Sequence, residues 1–364
     1  IQWQRSTDNV NFSAISGATS ATYSTTNLTA TTYYRARVKS GVCDSLLSNT
    51  VTVAVNAASV SGSISGSTTV CYQNNSTLLT LNGSTGNIQW QSSTISTTSG
   101  FSNVADSTAN TFTASNLTAT TYYRAVVTSG VCAAATSSAA TITVSPATVP
   151  GTASGDTTVC ASGNSVTVRL TGAVGSIQWQ SSTDNINFSS ISGATSANYS
   201  TSGLAITTYF RARVKSGVCD SLFSNVVTVA VSPAAVSGSI SGAGTVCYQN
   251  NSTVLTLNGF TGNIQWQSSA TNNSADFTDI TNSIGTTFTA NNLTSNTYYR
   301  AVVTSGVCRV TSAAVMMTVN PATVAGTASG DTTVCASGNS VTVRLDNSVG
   351  TIQWQSSTNN TDFS

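Results

Sequence analysis

Apolar and polar residues alternate in short runs along this chain, and no run shows the period of a helix. In Ile88–Gln91 the isoleucine and tryptophan would face one side of a strand and the two glutamines the other. The same alternation predicts that Tyr123, Ala125 and Val127 point into a core together with Leu117. Thr, Val, Tyr and Ile dominate these runs, as is typical of strands, and Gly or Ser-Gly separates them. The clearest strand-like runs of one unit are Leu78–Leu81, Ile88–Gln91, Thr111–Thr113, Thr121–Thr128 and Ala140–Val144.

The chain is an internal repeat. The segment Ile-Gln-Trp-Gln occurs five times, beginning at Ile1, Ile88, Ile177, Ile264 and Ile352, so one unit of about 88 residues recurs. Alternate units are more alike than direct neighbours: Ser-Gly-Val-Cys-Asp-Ser-Leu stands at both Ser40–Leu46 and Ser216–Leu222. Two units therefore form a cassette of 175–176 residues. Neighbouring domains that differ in sequence are less prone to misassemble with each other during folding.

About seven short strands per unit predict an all-β fold, namely a tandem array of immunoglobulin-like antiparallel β-sandwich domains. We number the predicted domains repeats 1 to 5. Repeats 2, 3 and 4 are predicted complete at 57–145, 146–232 and 233–320. Repeat 1 (1–56) is partial and holds strands C to G in immunoglobulin lettering, and repeat 5 (321–364) is partial and holds strands A to C. Because both ends carry the same part of the unit, we expect an excerpt of a longer array.

One tryptophan per unit is predicted to fill the core, because the flanking alternation buries it; a sugar-stacking role is the alternative. These tryptophans are Trp3, Trp90, Trp179, Trp266 and Trp354. A leucine followed six residues later by a tyrosine indicates the tyrosine corner of such sandwiches. The pairs are Leu28/Tyr34, Leu117/Tyr123 and Leu293/Tyr299. Because the third unit has Leu204/Phe210, the corner hydroxyl should be dispensable.

The run from Thr69 to Cys132 carries a family resemblance. It includes Thr-Val-Cys, Leu-Thr-Leu, Ile-Gln-Trp-Gln-Ser-Ser and Tyr-Tyr-Arg-Ala-Val-Val-Thr-Ser-Gly-Val-Cys. This pattern resembles the immunoglobulin-like repeats of very large Bacteroidetes surface proteins, and the resemblance covers essentially the whole chain. It implies an extracellular adhesin of the bacterial cell surface, associated with type IX secretion and gliding motility.

Composition removes several function classes. Charged residues make up 6% of the chain against roughly 25% in ordinary domains, and the net charge is +1. We therefore expect no nucleic-acid partner and no direct membrane insertion. Histidine and glutamate are absent, so no triad, carboxylate pair or metal motif can be assembled from the sequence. We expect no enzyme activity, no cofactor and no catalytic or metal site.

The eight cysteines fall two per unit, which predicts disulfides and disfavours zinc. We favour bonds within domains, leaving Cys43 and Cys335 for partners elsewhere; these bonds would be Cys71–Cys132, Cys160–Cys219 and Cys247–Cys308. One objection is geometric, because the two turns concerned lie at opposite poles of an immunoglobulin sandwich and a bond needs Cα atoms within about 7 Å. The alternative joins consecutive domains as Cys71–Cys219 and Cys160–Cys308. Either way, no thiol should remain unpaired in the mature array.

Two surfaces are candidates for function. One is a polar sheet face that could bind polysaccharide or another filament, although a solvated face is the simpler interpretation. Its residues are Tyr33, Arg35, Arg37, Tyr209, Arg211 and Arg213. The other is a set of Asp-Ser and Asp-Thr pairs that resembles the O-glycosylation motif of Bacteroidetes, with chance as a strong competitor in so Ser/Thr-rich a chain. The acceptors would be Ser45, Ser107, Thr157, Ser221 and Thr332.

These observations together predict a structural stalk or filament that projects a distal binding tip. Its immediate partners would be the neighbouring repeats of the same chain. The alternative is a repeated carbohydrate- or protein-binding module that uses the Tyr/Arg/Gln sheet face.

Overall fold

A computed structural model describes residues 1–364. The chain is all-β, with 34 strands and one short 3₁₀ helix, Ser274–Asp276. Repeat 1 contains β1 Gln2–Ser6, β2 Ser13–Ala14, β3 Thr32–Val38, β4 Leu46–Leu47 and β5 Val51–Val53. Repeat 2 contains β6 Ser63–Ser65, β7 Thr68–Cys71, β8 Ser76–Asn82, β9 Asn87–Ser93, β10 Ser102–Asn103, β11 Thr111–Ser115, β12 Thr121–Thr128, β13 Ala135–Thr136 and β14 Ala140–Ser145.

The following repeats have the same succession of strands. Repeat 3 contains β15 Thr152–Ser154, β16 Thr157–Cys160, β17 Ser165–Thr171, β18 Ser176–Ser182, β19 Ser189–Ser190, β20 Asn198–Ser202, β21 Thr208–Lys215, β22 Leu222–Phe223 and β23 Val227–Ser232. Repeat 4 contains β24 Val236–Ser241, β25 Thr245–Cys247, β26 Ser252–Thr261, β27 Asn263–Ser269, β28 Thr278–Asp279, β29 Thr287–Asn291, β30 Thr297–Ser305, β31 Cys308–Thr311 and β32 Val315–Asn320. Repeat 5 contains β33 Thr327–Ser329 and β34 Arg344–Asp346.

Repeats 2, 3 and 4 each form a six-stranded and a three-stranded sheet. In repeat 2 the larger sheet has the order β10-β9-β12-β14-β7, with β13 also on β12, and the smaller has the order β11-β8-β6. Equivalent strands take the same places in repeats 3 and 4. Two sheets built in this order are the immunoglobulin-like sandwich, so the predicted fold class is confirmed.

One strand pair in each complete repeat is parallel. In repeat 2, β7 pairs with β14, and Cys71 lies opposite Ser145 at the end of both strands. The equivalent pairs are Cys160 opposite Ser232 and Cys247 opposite Asn320. The first cysteine of a repeat therefore lies at the end where the chain leaves that repeat.

The core of repeat 2 lies between its two sheets. Trp90, Ala125 and Val127 are completely buried, Tyr123 is nearly so, and Leu117 packs half-buried against them, as the alternation predicted. Each large apolar side chain buried here stabilises the repeat by roughly 1.5–3 kcal/mol relative to an exposed position. Ring stacking continues the core from Trp90 through Phe112 to Tyr123, with centroid distances of 5.7 and 5.1 Å.

The prediction of one core tryptophan per unit holds for three units. Trp90, Trp179 and Trp266 are fully buried, but Trp3 is only half-buried and Trp354 is 50% exposed. Repeat 1 forms a single sheet and repeat 5 a single strand pair, so no second sheet covers these two rings.

The chain divides into two compact units. The first comprises Ile1–Thr152, Thr171–Gln178 and Ala212–Ser224, and the second comprises Ala153–Leu170, Trp179–Arg211 and Asn225–Ser364. The joint from repeat 2 to repeat 3 therefore lies inside the first unit, and the joint from repeat 3 to repeat 4 lies inside the second. The domain boundaries given from the sequence stay a prediction. No helix has the length and apolar character needed to cross a membrane.

Candidate functional site

Two disulfides connect consecutive repeats. Cys71 of repeat 2 bonds Cys219 of repeat 3, with Cα atoms 4.9 Å apart, and Cys160 of repeat 3 bonds Cys308 of repeat 4 at 5.1 Å. We call the first cysteine of a repeat its leading cysteine and the second its hairpin cysteine. The favoured bonds within domains, Cys71–Cys132, Cys160–Cys219 and Cys247–Cys308, are therefore wrong, and the structure forms the alternative arrangement.

The parallel strand pair explains this outcome. Cys71 ends β7 beside Ser145, where the chain leaves repeat 2, and the Tyr72 N–H donates to the Ser145 carbonyl at 2.9 Å. Cys132 lies at the entry to the same repeat, with its sulfur 3.5 Å from the carbonyl oxygen of Ala57. Cysteines at opposite ends of a sandwich cannot bond, whereas the exit of one repeat meets the entry of the next.

The hairpin cysteine rests on the linker that precedes its own repeat. The Cys219 sulfur lies 3.3 Å from the Pro146 carbonyl oxygen, and the Cys308 sulfur lies 3.5 Å from that of Ser232. Gly217 (φ +51°) allows this approach, because a Cβ there would lie 2.2 Å from the Ser145 hydroxyl. Glycine is thus required at this turn both for its left-handed backbone and for the space that it leaves.

An asparagine four residues after each leading cysteine fixes that cysteine's turn. In repeat 3 the Asn164 amide donates to the carbonyls of Cys160 and Leu204, both at 2.7 Å, and its oxygen accepts from the Leu204 N–H at 2.9 Å. Asn75 and Asn251 make the same three bonds in repeats 2 and 4. Sequence reasoning missed this clamp, although the spacing Cys-x-x-x-Asn recurs after all four leading cysteines.

The sheet face predicted to bind a ligand is largely satisfied by internal contacts. The Arg35 Nε donates to Gln4 at 2.9 Å, and its guanidinium carbon lies 3.8 Å above the centre of the Phe12 ring. Arg211 makes the same contacts with Gln180 and Phe188. Arg124 and Arg300 repeat them in the other two units. We call each such trio a stacked arginine. Its signal in the sequence is an arginine 23 residues after a phenylalanine and 31 or 33 residues after a glutamine.

The remaining residues of that face lie on the same two strands. Tyr33 and Arg37 accompany Arg35 on β3, and Tyr209 and Arg213 accompany Arg211 on β21. Both tyrosines are half-buried. Arg37 and Arg213 are exposed, and their Nε atoms donate to the hydroxyls of Ser45 and Ser221 at 2.8 and 3.1 Å.

Those two serines are also predicted O-glycosylation acceptors. Ser45, Ser107 and Ser221 are half-buried, and the Ser107 hydroxyl donates to the Ala105 carbonyl at 3.0 Å. Thr157 and Thr332 are exposed. The two threonines are therefore the most accessible of the five predicted acceptors.

The shifted pKa values in this chain each have a local cause. Hydrogen bonds from the Asn187 N–H, the Ser182 hydroxyl and the Ile186 N–H hold the pKa of Asp184 well below its usual value. Burial raises the pKa of Tyr123 and Tyr299. No group of three or more Cys or Asp side chains is placed to hold a metal ion.

The paired sheets and the bonds across the joints define a tandem array of immunoglobulin-like domains, of the disulfide-bonded kind typical of extracellular proteins. A family model described as "Domain of unknown function (DUF8696)" matches residues 1–57, 60–146, 149–233, 236–321 and 324–364, and the chain belongs to this family. No curated protein matches it.

Solved structures similar to the chain share 12% identity with it. The chicken CNTN1 FN1–FN3 domains have a TM-score of 0.26, with 72% of this chain and 98% of that chain covered. Drosophila OTK extracellular domains 3–5 have a TM-score of 0.33, with 73% and 96% covered. A chain from the mouse coronavirus receptor-binding domain in complex with its murine receptor has a TM-score of 0.34, with 46% and 99% covered. The immunoglobulin-like assignment rests on the sheets described above.

Proposed function

We propose that this chain is a stalk segment of a bacterial cell-surface adhesin, which projects a distal binding tip and works in gliding motility. The observation that carries the proposal is the disulfide across each joint between complete repeats. A pull along the chain is then shared between the linker at Pro146 and the bond from Cys71 to Cys219. A covalent brace at a joint resists bending and extension, which is a mechanical task.

The bacterial surface, type IX secretion and gliding motility enter this proposal through the sequence resemblance. The extracellular location has separate support, because disulfides persist in oxidising compartments outside the cytosol. With so few charged residues, the surface between the joints offers little to steer a charged ligand.

Electron microscopy and small-angle scattering test the stalk. We expect separate beads in a line, each adding about 35 Å, because the longest strand of each complete repeat has 8 to 10 residues and turns extend it at both ends. The double variant Cys71→Ser with Cys160→Ser removes both braces and should broaden the distribution of angles between beads. Cys132→Ser, which changes an unpaired cysteine, is the matched control. A compact globule, or equal angles in the braced and unbraced chains, would contradict the proposal.

The second candidate function is a repeated binding module for polysaccharide or another filament. Its support is the exposure of Arg37 and Arg213 beside a half-buried tyrosine on each strand. Glycan arrays and pull-downs with the intact chain test it. Arg37→Ala with Arg213→Ala should abolish capture, whereas Arg309→Ala, at another exposed arginine, should leave it unchanged. Absence of any ligand for the unmodified chain would remove this candidate.

We also infer O-glycosylation of the secreted chain, first at Thr157 and Thr332 because these are exposed, and at the three half-buried serines if the local contacts open. Peptide mass spectrometry of material purified from its native host would locate the sugars. Unmodified Thr157 and Thr332 peptides would exclude the modification at its two most accessible positions.

A further inference from the structure

One edge strand of the smaller sheet has no neighbour on its outer side in any complete repeat. In repeat 2 the order β11-β8-β6 leaves β11 as the last strand, and β20 and β29 take that place in repeats 3 and 4. The outward residues of β20 are exposed like those of the other two strands, although repeat 3 has a complete repeat on each side of it in the chain. The open edge is therefore a property of the complete repeat.

The backbone of β11 directs three sets of hydrogen-bonding groups away from its sheet. The N–H of Asn116, just after β11, donates at 2.9 Å to the carbonyl of Asn75, just before β8. Alternate residues of an antiparallel strand bond to the same side. Ser115, Thr113 and Thr111 therefore turn their N–H and C=O groups away from β8, where the sheet has no further strand.

Nothing in the sequence of β11 or β29 blocks the addition of a further strand. Natural edge strands are usually protected by a charged residue, a proline, a bulge or a very short length. β11 and β29 have five residues each, Thr-Phe-Thr-Ala-Ser and Thr-Phe-Thr-Ala-Asn, without charge, proline or glycine. In contrast, the opposite edge strand β6 has three residues and lies between Gly62 and Gly66, both with positive φ.

Repeat 3 carries a weaker form of the same edge. Its strand β20 reads Asn-Tyr-Ser-Thr-Ser, and the hydroxyl of the central Ser200 is hydrogen-bonded to that of Thr167 at 2.8 Å. Asparagine is depleted in strands, whereas threonine is enriched. Repeats 2 and 4 instead have an exposed aliphatic residue opposite the central threonine of the edge strand, Leu78 and Val254. The edges of repeats 2 and 4 are therefore the better templates for pairing.

We propose that two copies of this chain pair side by side through β11, with the two strands antiparallel and Thr113 opposite Thr113 of the second copy. Thr111 then lies opposite Ser115, and each opposed pair of these residues exchanges two backbone hydrogen bonds. The smaller sheets of the two copies become one continuous sheet. β29 pairs with a second copy in the same way, centred on Thr289.

A second copy is the occupant because the edge is complementary to itself. A two-fold axis at Thr113 sets the outward groups of one strand against the outward groups of the other. The side chains opposed on the outer face are threonine and serine, so no like charges repel each other across the contact. Both chains use the same patch, as in other two-fold interfaces.

One edge produces a dimer, whereas two edges in one chain produce larger assemblies. A five-residue edge buries much less than the roughly 1,200 Å² of stable interfaces, so a single pairing is weak. Repetition along linked domains strengthens the association, because the first contact raises the effective concentration of the second. The edges therefore bundle stalks laterally. The stalk proposal concerns the joints, so either proposal can fail without the other.

The experiment uses the whole chain, with accessible thiols alkylated by iodoacetamide so that disulfide exchange cannot link copies. In sedimentation up to about 1 mM, where contacts of millimolar Kd are populated, we expect species larger than dimers. Hydrogen exchange at the amides of Thr111, Thr113 and Ser115 should slow as the concentration rises. A chain that stays monomeric would overturn the proposal, also if it captures an extended peptide of another protein at this edge. Outward amides that exchange equally fast at all concentrations would overturn it too.

Charges at the centre of each edge separate the two contacts. Thr113→Lys sets two lysines opposite each other and should stop assembly at dimers, since only β29 remains. Adding Thr289→Lys should leave monomers. Thr143→Lys is the matched control, because this residue lies on β14 between two strands of the other sheet and should leave assembly unchanged. All three threonines are exposed, so none of these changes should unfold the chain. Equal weakening by Thr143→Lys, or larger assemblies of the double variant, would refute pairing through these edges.

Discussion

Cys71 lies directly opposite Ser145 in a parallel strand pair, one residue before the chain continues into the next repeat at Pro146. This single register places the leading cysteine at the exit of its repeat. The hairpin cysteine of the following repeat rests on that same linker, since the Cys219 sulfur lies 3.3 Å from the Pro146 carbonyl. The bond across the joint is therefore a consequence of strand pairing inside one repeat.

Peptide mapping under non-reducing conditions should recover Cys71 linked to Cys219 and Cys160 linked to Cys308. Reduction should loosen the joints and leave the melting of each repeat nearly unchanged, because no bond closes within a sandwich. Calorimetry and scattering of oxidised and reduced chains measure the two effects. Recovery of a Cys71–Cys132 peptide would contradict the connectivity described here.

Replacing Asn164 by alanine should destabilise repeat 3 by about 2–3 kcal/mol, because three hydrogen bonds are lost and their backbone partners are partly buried. The amide proton of Leu204 should exchange with solvent much faster, which hydrogen-exchange mass spectrometry or NMR detects. Asn339→Ala is the matched control, since that side chain is exposed and makes a single bond to the Cys335 carbonyl. Unchanged exchange at Leu204 would show that the clamp is dispensable.

Replacing Arg124 by lysine should destabilise repeat 2 by about 1–2 kcal/mol. Lysine keeps the charge but loses the planar contact with Phe101 at 4.1 Å and the Nε bond to Gln91 at 2.8 Å. Hydrogen exchange in β9 and β12 across a urea series measures the change. Arg309→Lys, at an exposed arginine of repeat 4, should have no measurable effect on its own repeat. Equal losses of stability in the two variants would contradict a stabilising role for the stacked arginine.

The loop around Asp184 should remain formed in mild acid. Its carboxylate accepts from the N–H groups of Asn187 and Ile186 at 2.7 and 2.8 Å and from the Ser182 hydroxyl at 2.7 Å. Because its folded pKa lies below the unfolded value of 3.8, its stabilising contribution is present above that value and is lost as pH falls through the folded pKa. NMR titration of the side-chain carboxyl should give a midpoint below 3.8.

The control for that titration is Asp184→Asn, which removes the ionisable group and keeps the accepting oxygen. Repeat 5 has Asn359 at the equivalent position, where the side-chain oxygen accepts from the N–H groups of Thr361 and Asp362 at 3.0 and 2.9 Å. The variant loop should therefore form and lose its dependence on pH in this range. A normal midpoint for Asp184 would mean that these bonds do not persist in solution.

The strands and the core could be predicted from the sequence, because the alternation of apolar and polar residues within one strand indicates which of its side chains are buried. Trp90 between two glutamines predicts a buried ring, although Trp3 and Trp354 between the same neighbours are only partly buried where no second sheet covers them. Phe210 in place of a tyrosine predicts that the corner hydroxyl is dispensable. Phe210 keeps the ring contact of that position, with Tyr199 at 5.8 Å as Phe112 lies 5.1 Å from Tyr123.

The disulfide connectivity could not be predicted in the same way. It depends on a parallel pairing between β7 and β14, which are about 70 residues apart, and on where the next repeat begins. The stacked arginine likewise needs the register that sets Arg124 opposite Gln91, which no local pattern contains. The alternation along β3 and β21 suggested a ligand face because it shows which side chains point outward but not which groups they contact.

The distance of 148 residues between bonded cysteines has a consequence for synthesis. When Cys71 leaves the ribosome its partner has not yet been made, and at 5–20 residues per second it follows roughly 7–30 s later. Repeat 2 can complete its sandwich within that interval while its leading cysteine is still a thiol. Each repeat is therefore complete along the chain before the cysteine that ties it to its successor has been made.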